Sequence, residues 1–163
     1  MARKCFYSFH YAEDVWRVST VRQIGAIEEQ PIISGNKWEE IKKRGDPAIR
    51  TWIDENMKGR SCLIVLVGRS TAERRWVKYE IKKAWDDGKG VLGIRIHNLK
   101  NQGGYTTTPG ADPFATFTVG NRPLGTWAKV YNPAGNTSQL VYASIANNIE
   151  QWVEEAIRLR NSV

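Results

Sequence analysis

The sequence predicts an α/β domain built on an open, mostly parallel sheet with helices on both faces. Two observations carry this. Cys62–Val67 (CLIVLV) and Val91–Ile96 (VLGIRI) are apolar runs bounded by turn residues, the pattern of central parallel strands covered on both sides. Segments of helical period stand between and around such runs, and an alternation of strand and helix of this kind closes most simply as a parallel sheet.

Taken in order, Lys4–Phe9 (KCFYSF) reads as a first strand that opens into a loop. Val15, Val18, Val21 and Ile24 then follow helical spacing in a segment from Glu13 to about Ile27. Pro31–Ile33 reads as a brief second strand, and Ser34–Lys37 as a loop leading to Trp38. Asp46 as N-cap with Pro47 at the first helical position starts another helix, whose buried stripe is Ile49, Trp52, Ile53 and Met57 and which Gly59 stops. After Cys62–Val67, Ser70 and Glu73 have capping-box spacing for a helix with Val77, Ile81, Ala84 and Trp85 on its apolar face, ending at Gly88. Val91–Ile96 follows. Asn98–Thr126 is rich in Gly, Thr, Pro and Asn, and is long for a structureless connection, so it is functional or hides short strands. Trp127–Tyr131 reads as the last strand, with a turn at Pro133–Asn136. Ile145, Ile149, Trp152, Val153, Ala156 and Ile157 then form an amphipathic C-terminal helix. The expectation is one domain over residues 1–163, with 98–140 a long variable insertion and tail.

Composition narrows the function classes. The apolar fraction of 41% and charged fraction of 25% are those of a soluble globular chain, and no apolar run approaches the ~20 residues that span a bilayer. The N-terminal MARKCFYSFHY lacks the apolar core of a secretory signal, which makes a cytoplasmic location and no membrane partner the expectation. Cys5 and Cys62 sit inside apolar runs and read as buried free thiols; neither has the spacing of a zinc site, and no metal is expected. The net charge of +7 is spread along the chain rather than gathered in one tract, which argues against a nucleic acid partner. The same charges suit a small phosphate-bearing ligand.

In open α/β sheets, ligands bind beyond the carboxyl ends of the strands, where strand order reverses. For a flavodoxin-like order the residues leaving those ends are Ser8, Phe9 and His10 after the first strand, Gly68, Arg69 and Ser70 after the third, and His97 and Asn98 after the fourth. Helix N-termini nearby add N–H groups that suit phosphate. Glu80 stands on the flank of a buried helical stripe, one turn after Trp76, where partial desolvation raises a carboxyl pKa. Spacing alone favours an ordinary surface glutamate at that position. His10 and His97, the two histidines, are equally open to a structural hydrogen-bonding role. No GxSxG elbow, no GxGxxG after the first strand and no Walker lysine motif is present, which disfavours triad hydrolases, dinucleotide oxidoreductases and P-loop enzymes.

The run Lys4–Tyr11 (KCFYSFHY) resembles the first-strand signature of bacterial TIR-like proteins of the Thoeris anti-phage defence type. Colinear matches follow at Trp38-Glu39-Glu40, Gly45-Asp46 with Ala48-Ile49, Arg74–Ile81 (RRWVKYEI), Gly93–Asn98 and, more weakly, Pro109–Phe114. The likeness covers residues 3 to 115; residues 26–36 depart from the family pattern. It implies a flavodoxin-like three-layer sandwich with a five-stranded, mostly parallel TIR-like sheet. It also implies cleavage of NAD, as substrate and without a further cofactor, into nicotinamide and a cyclic ADP-ribose-type signal that activates a partner effector protein. The family's WxxxE pattern falls on Trp76 and Glu80, which makes Glu80 the implied catalytic carboxylate. Substrate-binding positions map to Ser8, Phe9, His10, Trp38, Trp76, His97 and Asn98, and Phe9, Trp38 and the 98–126 loop are candidates for excluding water. A homo-oligomer is open. The competing reading is a non-catalytic protein–protein interaction module, in which the basic clusters and seven tryptophans serve contacts.

Overall fold

The computed structural model describes residues 2–31 and 33–163. Its centre is a parallel sheet of β1 (Cys5–Ser8), β2 (Cys62–Val67), β3 (Gly90–Arg95) and β6 (Val130–Tyr131), in the spatial order β1-β2-β3-β6. Alternation along β2 divides the core. Cys62, Ile64 and Leu66 face the layer of α1 (Tyr11–Arg22) and α5 (Ser138–Asn161). Leu63, Val65 and Val67 face the layer of α2 (Gly35–Lys43), α3 (Asp46–Met57) and α4 (Arg75–Asp86). Every residue of β2 is buried, as its unbroken apolar run requires. The result is the expected three-layer α/β sandwich.

Among the described residues the sheet has four strands rather than five. The second strand read at Pro31–Ile33 includes Ile32, which lies outside the described residues. Pairing beside β1 occurs earlier, as a single parallel bridge between Lys4 and Glu28. Pro31 has no N–H to give a ladder, which makes it a poor continuation of that bridge. The first helix also ends sooner than its apolar period suggests. It stops at Arg22, and Gly25, at φ 69°, turns the chain back so that Ile27 reaches the core and Glu28 reaches β1.

Other boundaries shift for identifiable reasons. Ser34–Lys37 is not a loop: the Ser34 hydroxyl caps the start of α2 by accepting from the Lys37 N–H at 3.1 Å, and Trp38 lies in that helix. Asp46 is the first helical residue rather than the cap, which is Gly45 at φ 90°. Ser70 and Glu73 form no capping box. Thr71–Glu73 is a 3₁₀ turn, and α4 starts at Arg75 without a side-chain cap. The Gly- and Thr-rich segment contains a two-stranded antiparallel ribbon of β4 (Thr118–Val119) and β5 (Arg122–Pro123). Its Phe114 is fully buried beside β2 and α4, and Arg95 donates to the Gly110 carbonyl at 2.7 Å. The last strand shortens to two residues because the N–H groups of Trp127 and Ala128 bond back to the Leu124 carbonyl, at 3.0 and 2.9 Å, at the end of the Leu124–Thr126 3₁₀ turn.

Cys5 and Cys62 are free, buried and opposite one another across β1 and β2. Gly90 lets the backbone of α5 lie close against β3: a Cβ there would stand 2.8 Å from the Ile157 nitrogen. Gly90→Ala is therefore expected to destabilise the fold by about 1–3 kcal/mol, seen as a lower urea midpoint at unchanged slope. Among the described residues no helix is long and apolar enough to cross a membrane.

Candidate active site

The pleat of β1 sends Cys5 and Tyr7 to the α1/α5 layer and Phe6 to the α3/α4 layer. Ser8, two residues after Phe6, follows it to the α4 side. There its hydroxyl donates to Glu80 Oε1 at 2.7 Å. Glu80 is held on α4 by its buried neighbours Val77, Ile81 and Ala84, and only 7% of it is exposed. No cation pairs with it among the described residues. Burial pushes its pKa up to about 8, against the smaller opposite pull of the Ser8 hydroxyl. Glu80 is thus not the surface residue that spacing alone favours.

Glu80 forms part of the wall of a cavity of about 770 Å³. Phe9, His10, Trp38 and Trp76 line the same cavity, so the structure gathers most of the residues singled out from the sequence. Ser8 reaches the site through its bond to Glu80. The aromatic side chains are braced: Phe9 stacks on Tyr11 with centroids 6.2 Å apart, and Trp38 packs edge-on to Trp52 at 5.9 Å. Trp52 in turn meets Phe6 at 6.2 Å. Trp76 packs against Tyr79 at 5.6 Å and carries the Arg75 guanidinium 4.7 Å over its ring.

Charge at the wall is mostly positive. Arg22, Lys42, Arg74 and Arg75 line the cavity, with Glu39 as an acidic neighbour. Arg75 pairs with Asp46, Lys42 with Glu39 at 3.2 Å, and Arg22 with Glu29 at 3.4 Å. Arg74 has no ion-pair partner among the described residues, and it immediately precedes the uncapped N-terminus of α4. The guanidinium and the free N–H groups make that end of the cavity suited to anionic oxygens.

His97 and Asn98 do not line this cavity. His97 is buried at the end of β3, where burial and the nearby Arg95 and Arg17 lower its pKa. Its neighbourhood is a second polar cluster on the α1 side. Arg17 donates to Asp14 at 2.9 Å and to the Leu99 and Tyr105 carbonyls at 2.8 and 3.0 Å, tying α1 to the chain after β3. Asp14 fills the space beside Gly68, where a Cβ would fall 2.1 Å from its Oδ2. His10 Nδ1 lies 3.5 Å from Glu13, whose own pKa Arg69 holds low. The 98–126 segment likewise contributes no residue to the cavity wall; it packs instead against Gly68 and Arg69 through Gly110.

Sequence reasoning missed Tyr11, Gln30, Trp52 and the cationic wall. Arg74 and Arg75 adjoin Trp76 in the motif, so their neighbourhood was a usable signal. Trp52 carries the spacing of a core residue, and Gln30 has no distinguishing pattern.

A chain with these features matches the family model described as Thoeris protein ThsB, TIR-like domain, over residues 6–101. It is also 34% identical over 119 residues to a protein of Bacillus cereus (strain MSX-D12) named "Putative cyclic ADP-D-ribose synthase ThsB1". That alignment takes in 70% of this chain, and the chain spans 62% of the length of that relative. Residues 6–101 hold β1 from Phe6 onward, α4 and β3, and with them Ser8 and Glu80. The chain belongs to the TIR-like domain family of the Thoeris protein ThsB.

Proposed function

We propose that the cavity binds NAD and that Glu80 drives cleavage of its nicotinamide–ribose bond, yielding a cyclic ADP-ribose-type signal for a partner effector in anti-phage defence. The single observation that carries this reading is a buried carboxyl, held by one hydroxyl and no cation, in the wall of an aromatic-lined cavity. The name of the Bacillus cereus relative agrees with it.

The chemistry follows from that placement. As the glycosidic bond breaks, its electron pair leaves with the pyridinium nitrogen, so nicotinamide departs neutral and needs no general acid. Positive charge develops on the ribose carbon, as in glycoside cleavage. A carboxylate at that point stabilises the charge and accepts bonds from the ribose hydroxyls. Burial alone favours the protonated form of Glu80 near neutral pH. The pyridinium ring of NAD brings its own positive charge, which favours the ionised carboxylate when the two meet. Arg74 and the start of α4 suit the pyrophosphate, and the Phe9, Trp38 and Trp76 rings suit the planar bases. Ring closure requires a second nucleophilic atom of the same molecule to reach the ribose carbon before water does, and to lose its proton afterwards. Braced aromatic walls serve that exclusion.

Incubation of the protein with NAD, with nicotinamide and nucleotide products separated by chromatography, tests the proposal. Nicotinamide release together with a nucleotide lighter than ADP-ribose by one water is the expected result. Self-association without any affinity for NAD or ADP-ribose would instead support the interaction-module reading.

A further inference from the structure

Among the described residues the outer edge of β1 has only the Lys4–Glu28 bridge as a backbone pairing, yet both polar groups of the Tyr7 main chain on that side are satisfied. One side chain does this. Gln30, 3% exposed, accepts the Tyr7 N–H at its Oε1 and donates from Nε2 to the Tyr7 carbonyl, each at 2.8 Å. The primary amide thus supplies the acceptor and donor that the peptides of a continued second strand would supply. The main-chain carbonyl of Gln30 accepts from Arg22 at 3.1 Å, and that guanidinium lies 5.7 Å from the centre of the Tyr7 ring. Arg22 is itself paired with Glu29. The group is therefore fixed from α1 and from the chain on either side.

The two clamped groups belong to the peptides on either side of Tyr7, and the clamped carbonyl is that of the Tyr7–Ser8 peptide. The Ser8 hydroxyl is the only side-chain hydrogen-bond partner Glu80 has among the described residues. Gln30 also lines the cavity. We propose that Gln30 is a positioning residue for the Glu80 site: its amide takes the place of strand pairing at Tyr7 and holds the Tyr7–Ser8 segment so that the Ser8 hydroxyl stays on Glu80. This rests on the proposed role of Glu80 for its effect on turnover, but not for its effect on the Glu80 carboxyl itself.

The test separates the two. Glu80 is titrated by ¹³C NMR of its carboxyl carbon in wild type and in Gln30→Ala, with folding checked by circular dichroism. Loss of the clamp frees Ser8, whose donation favours the charged form, so the Glu80 midpoint is expected to rise in the variant. An unchanged midpoint in a folded Gln30→Ala protein overturns the proposal. In turnover, Gln30→Ala is expected to lower kcat by up to about 10²-fold, with KM for NAD little changed. A wild type that releases no nicotinamide while the midpoint still shifts removes the enzymatic reading and leaves the clamp standing. Gln30→Glu gives an independent signature. As a neutral acid it can donate to the Tyr7 carbonyl and accept from its N–H; as a carboxylate it has no donor and faces that carbonyl oxygen. The Ser8 amide resonance is expected near its wild-type position at low pH and to move as the introduced group ionises. Where Gln30→Ala does not fold, a Ser8 resonance indifferent to that ionisation overturns the proposal.

Discussion

Glu80→Gln is expected to lower nicotinamide release from NAD by about 10²–10³-fold, with KM little changed. That is the range found when one preorganised electrostatic group is removed from an active site. The substitution keeps shape and the ability to accept the Ser8 hydroxyl, so the loss reports on the negative charge rather than on packing. Glu80→Asp keeps the charge but withdraws it by one methylene from a rigid helical position, and a displacement of about 1 Å costs up to about 10²-fold. The two variants therefore fail for different reasons. Chromatographic rates at saturating and limiting NAD separate kcat from KM for both.

The same substitution is expected to raise stability at alkaline pH. Below about pH 4.5, Glu80 is neutral in both the folded and the unfolded chain and contributes no pH dependence. Between there and its folded-state value of about 8, the unfolded chain gives up the proton while the folded site keeps it. Stability falls through that interval by roughly 1.4 kcal/mol for each pH unit. Above about pH 8 the deficit is constant. Glu80→Gln carries no such deficit, so its melting temperature is expected to match wild type near pH 4 and exceed it near pH 9. For a domain of this size each kcal/mol corresponds to about 2–4 °C. Asp14, whose pKa burial also raises, is present in both proteins and cancels in the difference. A difference in melting temperature that does not grow between pH 4 and pH 9 contradicts the buried, unpaired state of the carboxyl.

The central strands were legible because complete burial leaves a signature in composition. Cys62–Val67 has nothing but apolar residues and is buried throughout. The pairing beside β1 was not legible, because among the described residues it consists of one bridge at Glu28 and the Gln30 side chain, which no period describes. Helix α2 was missed because its start depends on a single serine cap and it buries only Ile41. For the site, Ser8 at the end of the first strand is legible from topology and lies against Glu80, whereas the periodicity of α4 alone leaves Glu80 on a flank. Its burial is decided by the strand packed against it. His97 and Asn98 stand after a strand end, as topology requires, but Arg17 packs beside them, and the cavity is walled instead by β1, α1, α2, α3 and the start of α4.

The account turns on NAD occupying the cavity beside Glu80, and one titration addresses it directly. NAD is added to Glu80→Gln, where turnover is suppressed, and the indole N–H signals are followed by NMR. Signals of Trp38 and Trp76, which line the cavity, are expected to shift and saturate together. Trp152, stacked on Tyr131 at 4.7 Å in the opposite layer, is expected to stay in place. Saturating NAD that moves Trp152 but leaves Trp38 and Trp76 unmoved, or that moves none of the three, would contradict it.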